Sequence, residues 1–154
     1  QEILELQRIA FESEAVLYND RNIAPLSETL ESLQRDFDDH TVLKARLGER
    51  VVGTIRATVV DGCCVLRKMS VSPEYQGRWL GVRLMRQIER MFPNVRKFQL
   101  FTGYRSERNI GLYQRLGYKI TCVEDRSPGV SLVHMEKEVA RPVDRMATEV
   151  ASQI

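Results

Sequence analysis

The 154-residue sequence is poor in the residues on which several protein classes depend. Its three cysteines, Cys63, Cys64 and Cys122, are an odd number, and with only two histidines, His40 and His134, no spacing makes a zinc site. They read as reduced, mostly buried thiols, not as a disulfide framework. No apolar run extends beyond a few residues, far short of the roughly 20 needed to cross a bilayer. The opening stretch, QEILELQ, carries no basic-then-apolar leader. We expect a cytoplasmic protein with no membrane partner. Neither sign of charge is in large excess: 23 Lys and Arg against 21 Asp and Glu leave a net +2, too little to point to nucleic acid over the whole surface. Repeats and low-complexity linkers are also missing, so nothing calls for a second domain.

What is present suits one globule. Hydrophobic residues make up 43% and charged residues 29%, enough to fill one core and wet its surface. Ile3, Leu6, Ile9 and Ala10 recur at helical spacing, as do Leu26, Leu30, Leu33 and Phe37 after Pro25 and a capping Ser27. Two amphipathic helices are therefore expected first. Alternating stretches over Thr41 to Leu47 and Val51 to Val60 flank a Gly48-Glu49-Arg50 turn, and Asp61-Gly62 turns the chain into a third strand over Cys63 to Val71. After Pro73, Leu80, Leu84, Ile88, Met91 and Phe92 share a helical face that ends at Pro93-Asn94. Val95 to Thr102 reads as a strand, and Ser106 caps a short helix with Ile110, Leu112, Tyr113 and Leu116. Gly117 stops that helix before strands over Tyr118 to Val123 and Val130 to Lys137. The domain spans residues 1–138. In the tail, 139–154, Pro142 can open a helix with Val143, Met146, Ala147, Val150 and Ile154 on one face, or the tail is a solvated extension.

Chemistry concentrates in Val71-Ser72-Pro73-Glu74-Tyr75-Gln76-Gly77-Arg78-Trp79-Leu80-Gly81, which joins an apolar strand to an amphipathic helix through two glycines. Such a loop can aim several backbone N–H groups at one point, and the helix start adds its positive dipole end, so a phosphate is a natural occupant. Glycines before a helix also serve as plain turn residues, and spacing alone leaves both readings open.

The segment resembles the acetyl-CoA loop of the GNAT N-acetyltransferase superfamily, whose pattern is Gln or Arg, two residues, Gly, one residue, then Gly or Ala. Gln76 and Gly81 fit it, and Val71-Ser72-Pro73, Leu84-Met85 and Ile88 are similar to its flanking strand and helix. A second stretch, Ser106 to Tyr118, resembles the next family motif, and the similarity covers roughly residues 3 to 138. The resemblance implies an α/β fold with a mixed, mostly antiparallel sheet of six to seven strands flanked by helices, splayed between the strands ending at Val71 and Thr102. It implies acetyl-CoA as co-substrate and the amine of a small molecule or peptide as acceptor, and leaves a homodimer open. Family members open with a strand before the first helix. Here Gln1 already stands at that helix, so the strand is expected to be missing or supplied by Arg141 to Ile154.

Residue by residue, the resemblance assigns Met69, Val71, Gln76, Gly77, Arg78, Trp79, Leu80, Gly81 and Asn109 to the cofactor. The backbone of Met69 and Val71 would pair with the pantetheine amides like an added strand. Arg78 and Arg83 are nearby counter-charges for the phosphates. Asn109 and Tyr113 lie four apart on one helical face, and Tyr113 matches the residue that protonates the departing thiolate. Trp79 departs from the pattern, standing where the family has Gly. We expect its ring to point outward and to bury much of its surface against the domain, leaving its N–H available.

The base is unassigned. Many relatives place a Glu on the strand before the loop, but this chain has Arg67 beside Lys68 there, and no carboxylate occurs between Cys63 and Pro73. Water, Glu31 or Asp36 are the candidates. Arg67 and Lys68 are either solvated or, if one faces the cleft, select an acceptor with a carboxylate or phosphate. Two further readings stand beside the enzyme. One is a catalytically silent GNAT-fold protein that binds acyl-CoA or a partner, suggested by Trp79 and the absent Glu. The other is a nucleic-acid module using the stripe Arg83, Arg86 and Arg90.

Overall fold

A computed structural model describes residues 1–140 of the chain; the expectations for a helical or strand-forming tail fall on 141–154, outside the described residues. The elements run α1 (Glu2–Tyr18), α2 (Ala24–Ser27), α3 (Leu30–Asp39), β1 (Thr41–Leu47), β2 (Arg50–Val60), β3 (Cys63–Val71), a 3-10 turn (Pro73–Tyr75), α4 (Leu80–Met91), β4 (Lys97–Gly103), α5 (Glu107–Arg115), β5 (Lys119–Ser127) and β6 (Val130–Glu138). The six strands form one sheet in the order β1-β2-β3-β4-β6-β5. Every pairing is antiparallel except β3 with β4.

Alternation along β2 sorts the two faces of the sheet. Ile55 and Ala57 enter the main core with Leu84, Met85 and Ile88 of α4, Tyr113 of α5 and Met135 of β6. Arg56, between them, is directed to the other layer, where Ile3 and Leu4 of α1 and Leu33 of α3 form a smaller cluster against Val42. The Asp61-Gly62 turn has both residues at positive φ, 50° and 76°, the conformation a two-residue hairpin needs.

The parallel pair is short. β3 and β4 are in register only over Cys63–Lys97, Cys64–Phe98 and Val65–Gln99. Just beyond, β3 carries a bulge: Thr54 faces Ser70 and Arg56 faces Arg67, so Ile55 opposes both Lys68 and Met69. Lys68 takes φ +50° to make room for the extra residue. Past it the two parallel strands run unpaired with each other, and the gap between them is where the cavities described below open.

Periodicity misplaced some apolar residues. The buried residues of α1 are Ile3, Leu4, Leu6, Gln7 and Ala15, and Ile9, Leu30 and Phe37 are exposed. Gln7 replaces an apolar residue there because it serves a buried polar cluster. Ser27 ends α2 instead of capping α3; Thr29 is the cap, accepting the Ser32 N–H at 3.1 Å. Cys63 and Cys64 are buried, whereas Cys122 is exposed because β5 is an edge strand with nearly every side chain in solvent.

The polar cluster ties the first three helices to the sheet. Arg56, wholly buried, makes a bidentate pair with Glu28 at 2.8 and 2.9 Å and also reaches Asp36 Oδ2 at 2.6 Å and Gln7 Oε1 at 2.9 Å. Gln7 in turn donates to Glu28 at 2.7 Å and to the Pro25 carbonyl at 2.8 Å, and Lys68 adds a further cation on Glu28. Burial would raise the Glu28 carboxyl, but the hydrogen bonds from Arg56, Lys68 and Gln7 outweigh it and hold the group at about 2, below its ordinary 4.5.

A lowered carboxyl contributes stability that is complete above its unfolded value and lost as the pH falls through its folded one. Glu28→Gln, which leaves Arg56 with half its compensation, should therefore cost about 3 kcal/mol or more at pH 7. The gap in melting temperature between parent and variant should close as the pH drops from about 4.5 toward 2. Thermal melts across that range check both; a gap independent of pH would remove Glu28 ionisation from the account.

Candidate active site

Two clefts meet over the gap between β3 and β4. The smaller, about 280 Å³, runs along the loop and the start of α4 and is bounded by Met69, Val71, Gln76, Gly77, Trp79 and Gly81 on one side. Asn109, Arg108, Leu112 and Arg115 of α5 close the other. The larger, about 540 Å³, lies toward the C-terminal end of β4, between β3, β6 and α1, and reaches Tyr113. Phe11, Glu14, Met69 and Asn109 line both clefts, so they mark the junction.

The smaller cleft offers an anion a set of unoccupied donors. Trp79 occupies the N-cap of α4 without side-chain capping, and the first N–H to return to the chain is that of Arg83, bonded to the Trp79 carbonyl at 2.9 Å. The N–H groups of Leu80, Gly81 and Val82 precede that first bond and are the free donors of a helix start. Gln76 fixes the loop by donating to the Val71 carbonyl at 2.9 Å while accepting from Arg108 at 3.3 Å.

The cations bordering this cleft come from α5, Arg108 and Arg115. Arg78 and Arg83, the counter-charges expected from the loop, are exposed and lie outside the lining. The Leu80 side chain also turns away and packs on the main core.

Trp79 explains why a glycine suits its position. Its φ is +65°, the left-handed region that costs a side-chain-bearing residue on the order of 1–2 kcal/mol. The ring points outward, as expected, but it is 74% exposed and does not bury its surface against the domain. The expectation of a packed Trp79 is thus overturned: at the N-cap of α4, in the left-handed conformation, its ring stands in solvent.

The junction is built by α1. Phe11, Glu14 and Tyr18, spaced i, i+3 and i+7, share the helical face turned to the cavities. Tyr18 locks that face in place: its hydroxyl accepts the Arg105 N–H at 2.6 Å, and its ring lies so close to Gly103 that a Cβ there would collide with it. Ser106 stands at the N-cap of α5 but does not cap it; its hydroxyl donates to the Glu14 carboxylate and lies 3.4 Å from the Tyr18 hydroxyl. The other acid on the larger cavity, Asp20, accepts the Asn22 N–H at 2.8 Å within its own turn.

Tyr113 is buried in α5 one turn beyond Asn109, edge-on to Tyr118 with ring centroids 6.0 Å apart. Burial, and secondarily the Glu14 charge, pushes its phenol well above the ordinary tyrosine value. The hydroxyl therefore holds its proton at any working pH. Of the carboxylates expected as bases, Asp36 is committed to Arg56, and neither it nor Glu31 lines either of these clefts. Glu14 does. It was missed in the sequence although it lies between Phe11 and Tyr18 on one helical face, which is the signal that could have found it.

The chain thus sets a parallel pair in register over only three residue pairs beside an open helix start and a two-part cleft. The model of the Acetyltransferase (GNAT) family matches residues 1–118, and the chain belongs to that family. No curated protein matches it in sequence. Among solved structures, the ribosomal-protein-S18-alanine N-acetyltransferase from Escherichia coli superposes with a TM-score of 0.74 at 14% identity, over 94% of this chain and 90% of that one. The PaiA N-acetyltransferase from Thermoplasma acidophilum, in complex with coenzyme A, gives 0.68 at 17% identity over 89% and 91%. An aminoglycoside 6'-N-acetyltransferase complexed with coenzyme A gives 0.70 at 16% over 93% and 92%. Acetyl-CoA is the co-substrate of the family, and the smaller cleft fits it: free N–H groups and two arginines suit its phosphates, and the edge of β3 that lacks a β4 partner beyond Val65 suits its amide arm.

Because Trp79 is both strained and exposed, Trp79→Gly should hold or raise the melting temperature by a few degrees, the relief of strain being partly offset by glycine's flexibility in the unfolded chain. Acetyl-CoA affinity, read by calorimetry, should stay within about tenfold of the parent, since the ring borders the cleft without filling it. A melting temperature lowered by several degrees would mean that the ring packs after all.

Proposed function

We propose that the chain moves the acetyl group of acetyl-CoA directly onto an amine of a small molecule or peptide, with Tyr113 as acid and Glu14 as base. The observation that carries this is a buried, protonated phenol on the wall of the larger cavity, within reach of the Glu14 charge, with Glu14 itself lining both clefts where they meet. The thioester supplies an activated acetyl carbonyl; the protein's part is to deprotonate the nucleophile, hold it against that carbonyl and protonate the leaving sulfur.

Deprotonation decides how much help the amine needs. An alkyl amine with a pKa near 10.4 costs about 4–5 kcal/mol to neutralise at pH 7, an α-amine near 8 only about 1. Glu14, facing both cavities, is placed to take that proton directly or through one water. Its position on α1 substitutes for the carboxylate that relatives carry on the strand, where this chain has Arg67. Asn109, lining both clefts on the same face of α5 as Tyr113, is the residue that would hold the arm of the co-substrate at the junction.

A silent acyl-CoA or partner binder would explain Trp79 and the missing strand carboxylate, but it gives no role to Glu14 and Tyr113 on the same cavity. Release of free thiol from acetyl-CoA in the presence of an amine separates the two readings. In that assay Tyr113→Phe should lower turnover by about 10²-fold and Glu14→Gln by about 10²- to 10³-fold, with acetyl-CoA affinity and melting temperature nearly unchanged. Because the phenol lies above its usual range, parent activity should not fall through the ordinary tyrosine range near pH 10 on account of Tyr113. Variants as fast as the parent, with chemistry limiting, would return both residues to packing.

A further inference from the structure

The larger cavity has a charge pattern that the transfer chemistry does not require. Four consecutive residues of β3, Leu66, Arg67, Lys68 and Met69, line it. A regular strand sends neighbours to opposite faces; the bulge at Lys68, with its left-handed backbone, lets all four border one space. The chain thus holds a strained conformation at the site, and the result is that two of the cavity's three cations come from neighbouring positions of β3, on a lining that also carries Phe11, Ile23, Pro25, Phe101 and Leu132 and the acids Glu14 and Asp20.

The two cations are not equivalent. Lys68 is bound to Glu28, whose charge is already shared with Arg56. Arg67 has no acidic partner among the described residues, and it is the only one of the cavity's three cations so placed, since Arg126 is paired with Glu124 at 3.0 Å. To the same space α1 contributes Glu14, at the junction with the smaller cleft. An acceptor in this cavity finds a carboxylate for its amine, apolar walls for its body and an unpaired guanidinium for an anionic group.

Resting on the transfer reading above, we infer that the acceptor is a small amine bearing both an apolar body and an anionic group, carboxylate or phosphate-like, and that Arg67 is the specificity-determining residue that binds the anion. Guanidinium is suited to that role because its planar fork can hold two oxygens of a carboxylate or phosphate at once. A peptide N-terminus, whose nearby carboxyl is an amide, lacks the matching group.

The test uses matched amines that differ in the anion: leucine against leucinamide, phenylalanine against phenylalaninamide, and 1-amino-2-phenylethylphosphonic acid as the phosphorus arm. Binding to the CoA-saturated protein is measured by calorimetry and acetyl transfer by thiol release. The acids or the phosphonate should bind about tenfold or more tightly than the amides, the expected worth of a charge-assisted hydrogen bond, and whichever anion wins identifies the source. Arg67→Met, which keeps the aliphatic stem at an exposed strand position, should abolish that preference through KM with kcat little changed, and Arg67→Lys should restore part of it. Amides bound as well as acids, or a preference that survives Arg67→Met, overturns the inference. Transfer to amides alone does so while leaving the transfer reading intact. An acid preference in binding with no transfer to any amine supports the anion site and sinks the transfer reading instead.

Discussion

The pairing of Arg56 with Glu28 is the constraint on which the rest of the site depends. A guanidinium in the middle of β2 is wholly buried, and burial of an uncompensated charge costs several kcal/mol. The helical segment before the sheet must therefore bring Glu28, Asp36 and Gln7 to it. Such a cluster is not a source of great net stability, since a well-packed apolar set could replace it. Its effect is positional. Gln7 sets where α1 crosses the sheet, and one face of that helix then carries Phe11, Glu14 and Tyr18 into the cavities.

The second constraint lies on the next strand. The bulge at Lys68 directs that side chain to Glu28, so the polar cluster and the interruption of the β3–β4 pairing are joined through one residue. The gap opened there gives the sheet an unpaired strand edge beside a helix start with free N–H groups. The two cavities then meet at Glu14, Met69 and Asn109. Charge compensation in the core, bulge, gap and cleft form a single chain of cause, which is why a site with an exposed, strained Trp79 can keep its architecture: the ring takes no part in that chain.

Much of the fold was legible in the sequence. The Asp61-Gly62 turn, the strands on either side of it and the helix after the glycine loop were readable because they rest on local chemistry: turn residues and apolar spacing. The loop itself, with Asn109 and Tyr113, was readable through the resemblance. What was hidden was set by tertiary pairing. Arg56 and Glu28 stand 28 positions apart in the chain, and nothing local distinguishes a buried arginine in an alternating strand from a solvated one. Gln7 spoiled the apolar face of α1 for the same reason. Arg108 and Arg115 sit on α5, so the motif drew attention to Arg78 and Arg83 while the fold brought the other pair to the cleft. Glu14 was within reach of helical spacing but has no counterpart in the family pattern.

The central claim, that the junction of the two cavities performs acetyl transfer to an amine, is tested most directly by following the acetyl group itself. The protein is incubated with acetyl-CoA labelled in the acetyl carbon and a mixture of amino acids and simple amines, and the products are resolved by mass spectrometry. The account predicts one labelled N-acetyl amine for each free thiol released. Thiol released with the label recovered only as acetate, or no label transferred while acetyl-CoA demonstrably binds, would contradict it.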